Sequence, residues 1–145
     1  MSRTAVVILN WNGQDLLEKF LPTLVEYTPA DLGCIIVADN GSTDTSLGFL
    51  EESYPTIKRI PFDRNYGFTG GYNRAFQTIV SDPQTYGSFD YYLLLNSDVE
   101  VTQGWLAELS GFMDRHPQVG ICSPKVLSYH RQDYFEHAGA CGGMI

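Results

Sequence analysis

Three short apolar runs in this chain, residues 4–9, 34–38 and 91–95, each stop abruptly at a cluster of polar side chains. Asn10-Trp11-Asn12 follows the first, Asp39-Asn40-Gly41-Ser42 the second and Asn96-Ser97-Asp98 the third. Runs this short, bounded by turn residues, read as buried strands. The segments between them read as helices. Residues 14–27 carry Leu16, Leu17, Phe20, Leu24 and Val25 at helical spacing, with Pro22 expected to kink that helix or mark its weak point. Residues 44–52 are expected to form a second helix capped by Ser42 or Thr43. A third strand is expected over 57–60 and a loop over 64–71. Gly70-Gly71 then opens a helix to about Val80, and a polar loop covers 81–88. Residues 90–95 form the fourth main strand, buried on both faces. A helix over 104–116 carries Trp105, Leu106, Leu109 and Phe112 and ends at His116-Pro117. Residues 119–122 and 125–127 look extended.

This alternation predicts one α/β domain over residues 1–145, with a mostly parallel sheet flanked by helices on both faces. In such a sheet the carboxyl ends of the strands share one edge, and ligands bind just beyond it. The polar clusters therefore converge, joined by Arg64-Asn65-Tyr66-Gly67-Phe68 in the loop after the third strand. Any one of them alone is ordinary turn composition. Asn96, Asp98 and Glu100 bring oxygen donors to the end of the fourth strand, a set that suits Mg²⁺ or Mn²⁺ shared with a substrate phosphate. Glu100 is the weaker ligand candidate.

A net charge of −8 argues against nucleic acid or an anionic membrane surface as partner. It is compatible with a nucleotide, because a bound metal supplies positive charge locally. Cys34, Cys122 and Cys141 are odd in number, widely spaced and free of any CxxC pattern, so they read as reduced thiols. No signal-peptide pattern and no membrane-spanning run is present in this chain. The expected location is cytoplasmic, with a longer parent protein peripheral at the inner face of the membrane.

The four segments VVILNWNG, VADNGSTDTS, NYGFTGGYNRA and LLLNSDVEV, in this order and spacing, resemble family 2 glycosyltransferases, with closest resemblance to the rhamnosyltransferase-like branch. The resemblance covers nearly the whole chain. It implies the GT-A fold, a nucleotide-diphosphate sugar donor (UDP- or dTDP-linked), a divalent cation and a glycan or lipid-linked acceptor of bacterial surface polysaccharide synthesis. Asp39 matches the acidic residue that contacts the base or ribose, with Asn40 beside it. Asn10 and Asn12 match residues lining the nucleotide pocket, while Trp11 packs by the base or serves the core. Arg64 and Asn65 match the loop beside the nucleotide. There Arg64 pairs with the diphosphate or remains a solvated charge. Gly67, Gly70 and Gly71 match a close backbone approach to the donor. Asn73 is the better pocket candidate of its turn and Arg74 the more solvated. Asn96-x-Asp98 stands where the family places a DxD motif, with Asp98 the metal ligand and Asn96 toward metal or sugar.

Inverting transfer also needs a carboxylate general base. Asp133 and Glu136 do not match that segment, and the chain closes on Gly142-Gly143-Met144-Ile145. The expectation is a fragment holding the donor-binding part, with the base beyond Ile145. His137 is read as structural, and His116 and His130 as surface or cap residues. A sugar nucleotidyltransferase is disfavoured because Asn10-Trp11-Asn12-Gly13-Gln14 has no basic residue for a triphosphate. A dinucleotide oxidoreductase is disfavoured because no GxGxxG follows the first strand. A non-catalytic nucleotide-sugar-binding module is the remaining alternative.

Overall fold

The fold was obtained as a computed structural model and is described for residues 2–137. Four parallel strands, β1 (Thr4–Asn10), β2 (Gly33–Asp39), β3 (Lys58–Pro61) and β4 (Tyr91–Leu95), lie in the order β3-β2-β1-β4. Helices α1 (Gln14–Glu26), α2 (Ser46–Ser53) and α3 (Gly67–Ser81) make the crossovers, and α5 (Trp105–Arg115) follows β4. A one-turn helix α4 (Pro83–Tyr86) and a small antiparallel pair, β5 (Val126–Leu127) and β6 (Phe135–His137), complete the described elements. Cys141 and the closing residues 142–145 lie outside the described residues. No helix among the described residues is long and apolar enough to cross a membrane.

The first two crossovers run in one direction along the sheet and the third runs back past β1. Right-handed connections then require α3 on the face opposite α1 and α2, and the packing agrees. Val6, Ile8 and Val37 meet Leu17, Leu21 and Leu24 of α1, Leu50 of α2 and Leu106 of α5 on one face. Ala5, Val7, Ile36 and Ala38 meet Tyr72, Ala75 and Ile79 of α3 on the other. The strand order reverses between β1 and β4, which makes the carboxyl ends of those strands the topological switch point of the sheet.

Several local expectations are corrected. β4 is an edge strand, not one buried on both faces: α3 packs over β1 and β2, and Leu94 is left 51% exposed. A short apolar run cannot by itself show whether a second face is covered. Helix α1 passes through Pro22 as one element, with Pro22 on the exposed side. There water can satisfy the Glu18 carbonyl that loses its partner. Leu16 and Val25, placed on the apolar stripe by spacing, are exposed. Ser42 and Thr43 do not cap α2. Asp44 instead accepts the Ser46 N–H at 3.0 Å and the Ser46 hydroxyl at 2.5 Å. Burial pushes the Asp44 carboxyl up, but the Ser46 hydroxyl and the nearby amides outweigh it and leave its pKa below the usual value. Helix α3 starts at Gly67, a turn before Gly70-Gly71. The expected loop over 81–88 contains α4, where Asp82 accepts the Thr85 N–H and Pro83 occupies the first turn. Residues 119–122 form no strand.

Candidate functional site

Of the polar clusters expected at the strand ends, those after β1 and β2 meet through hydrogen bonds, whereas Asn96-Ser97-Asp98 takes no part in them. Asp39, at the end of β2, is 1% exposed. Its Oδ1 accepts from Asn10 Nδ2 at 2.9 Å and from the Ser42 hydroxyl at 2.6 Å, and its Oδ2 accepts the Ser42 N–H at 2.9 Å. Asn10, fully buried at the end of β1, also donates to Ser42 Oγ at 3.2 Å. Three donors thus stabilise a carboxylate that has lost its water. Asn12 sits in the left-handed region at φ 49°. Its N–H donates to Ser42 Oγ, and its side-chain oxygen accepts the Thr43 N–H at 2.7 Å. Asn12 therefore fastens the β1–α1 loop to the β2–α2 loop.

A second knot joins β2 to the loop before α3. Asn40 Nδ2 donates to Asn65 Oδ1 at 3.0 Å and to the Gly67 carbonyl at 3.1 Å, while Asn40 Oδ1 accepts the Tyr66 N–H at 2.9 Å. Asn65 Oδ1 also accepts the Gly67 N–H at 2.7 Å. The loop lies so close to β2 that a Cβ on Gly41, itself at φ 73°, would come within 2.5 Å of the Arg64 backbone. Left-handed strain alone costs a non-glycine residue about 1–2 kcal/mol, and the backbone collision adds to it. Gly41→Ala is therefore expected to destabilise the protein by about 2 kcal/mol or more, read as a shift in the denaturant midpoint. Gly41 was not among the residues singled out from sequence. Its place in an Asp-Asn-Gly-Ser turn was the available signal.

The glycines of α3 serve packing unequally. A Cβ at Gly71 would approach the Leu9 methyls to 2.7 Å, so this residue lets α3 settle against β1. At Gly70 a Cβ would make ordinary contact with Tyr66. Asn73 is exposed and, among the described residues, makes no side-chain hydrogen bond.

The basic residues converge on one aromatic ring. Arg64 lies 4.9 Å and Arg74 3.8 Å from the centre of the Tyr66 ring. Arg74, expected to be the more solvated, is the closer of the two. The Tyr66 hydroxyl donates to Asp63 at 2.6 Å. That bond holds the Asp63 carboxyl below its usual pKa against a small desolvation effect, with Arg64 and Arg74 assisting. Trp11 is 58% exposed, which removes the core alternative and leaves its indole free beside the end of β1.

On the other side of the switch point, β1 pairs with β4 only as far as Ile8 with Leu95, while it pairs with β2 to Asn10 with Asp39. β1 therefore runs two residues past its pairing with β4, at the switch point where the crevice of an open α/β sheet takes ligands. Asn96, Asp98 and Glu100 are exposed, and among the described residues none makes a side-chain hydrogen bond or ion pair. No group of three His, Cys, Asp or Glu side chains capable of holding a metal occurs among the described residues. The donor set, one carboxylate and one amide oxygen with a second carboxylate nearby, does not make a self-sufficient cage. It fits Mg²⁺ or Mn²⁺ bound through one or two protein oxygens plus substrate phosphates. Tyr72, not picked out from sequence, is 2% exposed, and its hydroxyl donates to the Leu95 carbonyl at 3.0 Å, directly behind this turn. His116 ends α5 as expected, its N–H bonded to the Met113 and Phe112 carbonyls.

N-acetylglucosaminyl-diphospho-decaprenol L-rhamnosyltransferase of Mycobacterium tuberculosis is 27% identical over 124 residues, covering 83% of this chain and 40% of the relative. The chain thus spans about two-fifths of the length of the curated relatives it matches. Among solved structures, S. aureus TarS 1–349 superposes with a TM-score of 0.64 at 21% identity, over 79% of this chain and 33% of that one. The same protein in complex with UDP-GlcNAc gives 0.65 at 18% identity, over 90% and 42%. The mannosyltransferase PcManGT of Pyrobaculum calidifontis, in complex with GDP-Man and Mn²⁺, gives 0.65 at 18% identity, over 77% and 32%. These structures share the GT-A arrangement of a mostly parallel sheet with helices on both faces. Residues 5–138 match the sequence pattern of glycosyl transferase family 2, and the chain belongs to that family.

Proposed function

We propose that this chain is the nucleotide-sugar-binding part of an inverting glycosyltransferase. The sugar comes from a UDP- or dTDP-linked donor and goes to a glycan or lipid-linked acceptor of a bacterial surface polysaccharide. What supports the reading is the placement, beyond the carboxyl ends of neighbouring strands at the switch point, of the buried Asn10–Asp39–Ser42 network and of Asn96 and Asp98, exposed and without a side-chain partner among the described residues. The named relative acts on a diphosphate-linked lipid. Neighbours of the same fold have been seen with UDP-GlcNAc and with GDP-Man and Mn²⁺.

In this reading Asp39, still able to accept through Oδ2, faces the base or ribose from the end of β2. Asn10, Asn12 and Asn40 hold that corner rigid, and Trp11 packs beside the base. Asn65 takes the Gly67 N–H and sets the start of α3, where Gly67 and Gly70 allow a close backbone approach and the first-turn amides of Phe68 and Thr69 favour phosphate. Gly71 keeps that helix close to β1, and Asn73 reaches toward the donor. Arg64 pairs with the diphosphate. Asp98 and Asn96 hold the divalent cation, which when bound neutralises charge on the departing diphosphate. The general base lies beyond Ile145, in sequence corresponding to the remaining length of the relatives. The enzyme works in the cytoplasm, peripheral at the inner face of the membrane.

Calorimetric titration with UDP, dTDP and NAD⁺ in the presence of Mn²⁺ tests the reading. Saturable binding of a nucleoside diphosphate without binding of NAD⁺ is expected. Equal binding of the dinucleotide, or no binding of either diphosphate, would contradict it.

A further inference from the structure

We propose that Tyr72 is a positioning residue that sets the Asn96-x-Asp98 turn against the nucleotide-binding wall by tying α3 to the end of β4. The inference rests on the donor-site reading for its consequence in binding, but not for the tie itself.

The tie sits where the sheet needs one. The β1–β4 ladder ends at Leu95, whose carbonyl accepts the Leu9 N–H as the last ladder bond, so no sheet bond holds Asn96, Ser97 or Asp98. The Tyr72 hydroxyl adds a second bond to that carbonyl, at 3.0 Å, from a helix that packs on β1 and β2 and reaches β4 through Phe76 against Tyr92. The ring is held on two sides, by Phe68 at 5.0 Å and Phe76 at 6.1 Å between centroids. Its hydroxyl therefore has little freedom to move. Burial raises the Tyr72 pKa, while the Leu9 backbone N–H, directed at the phenolic oxygen, opposes that shift. Asn96 follows Leu95 directly, and among the described residues neither Asn96 nor Asp98 has a side-chain partner of its own. The Tyr72 hydrogen bond is the contact that fixes their approach to Asn10 and Asp39.

Tyr72→Phe separates the two roles, because it keeps the ring and its aromatic neighbours and removes only the hydroxyl. Two readouts are needed. By ¹⁵N relaxation of the ligand-free protein, the order parameters of residues 96–98 are expected to fall from the rigid range of about 0.85 toward 0.6. Those of residues 10–12 should hold. By calorimetry, UDP affinity in Mn²⁺ is expected to fall about tenfold, the scale of one buried hydrogen bond, with less than about a twofold change in EDTA. Tyr86→Phe removes a half-buried hydroxyl near Arg59, on the far side of α3, and should move neither readout. Unchanged order parameters at residues 96–98 in Tyr72→Phe would overturn the proposal. An equal loss of affinity in Mn²⁺ and EDTA would overturn it too, since that is the mark of general destabilisation. If the wild type binds no UDP in either condition, the donor-site reading fails, and the relaxation measurement alone decides the role of Tyr72.

Discussion

Asp39→Ala is expected to lower folding stability by about 2–4 kcal/mol and to abolish nucleotide binding. The carboxylate is buried and receives the Asn10 amide, the Ser42 hydroxyl and the Ser42 N–H. Truncation removes the acceptor and leaves these donors enclosed, and each buried orphan costs about 1–3 kcal/mol. Asn10 and Ser42 can still bond each other at 3.2 Å, which recovers part of the loss. Asp39→Asn keeps the shape but turns an NH₂ toward a donor, so it should rescue less than half of the stability. Chemical denaturation of the two variants and the wild type measures this directly. On the proposed donor-site reading the loss of binding follows as well, because the same network holds the β1–α1 and β2–α2 loops together.

Asp98→Ala should behave in the opposite way. Asp98 is exposed and, among the described residues, unpartnered, so its removal is expected to change stability by no more than about 0.5 kcal/mol. Its effect falls on the cation. Asn96 is neutral, and the site has no three-residue cage among the described residues. Removing the one carboxylate in the motif position is therefore expected to weaken Mn²⁺-dependent UDP binding about a hundredfold, or about 2.7 kcal/mol. Binding in EDTA should be unaffected. The two substitutions form a contrast: on the proposed reading Asp39 serves the fold and the donor at once, and Asp98 serves the cation alone.

Much of this was legible before any coordinates. The apolar runs ending at Asn10, Asp39 and Asn96 set the strands and put their polar ends on one edge, and four spaced motifs resembled a single family. Features that depend on how elements approach one another were not legible. β4 reads as buried because an apolar run carries no information about whether a helix covers its second face. Ser42 reads as a cap because its neighbours are cap-like, but its hydroxyl is committed to Asp39 within the turn after β2 and Asp44 takes that task. The need for glycine at position 41 comes from the nearness of the Arg64 backbone, a contact between segments far apart in sequence. Tyr72 looked like one aromatic of an amphipathic helix. Only the strand order, which brings Leu95 beside β1, gives its hydroxyl a place to act.

The central claim is that the crevice binds a nucleoside diphosphate together with a cation that neither partner holds alone. Mn²⁺ binding followed by water-proton relaxation, with and without saturating UDP or dTDP, tests it most directly in the wild type and in Asp98→Ala. The account predicts weak Mn²⁺ binding by the protein alone, a cooperative increase when the diphosphate is present, and loss of that increase in Asp98→Ala. Tight Mn²⁺ binding without nucleotide, or a cooperative increase that survives in Asp98→Ala, would contradict it.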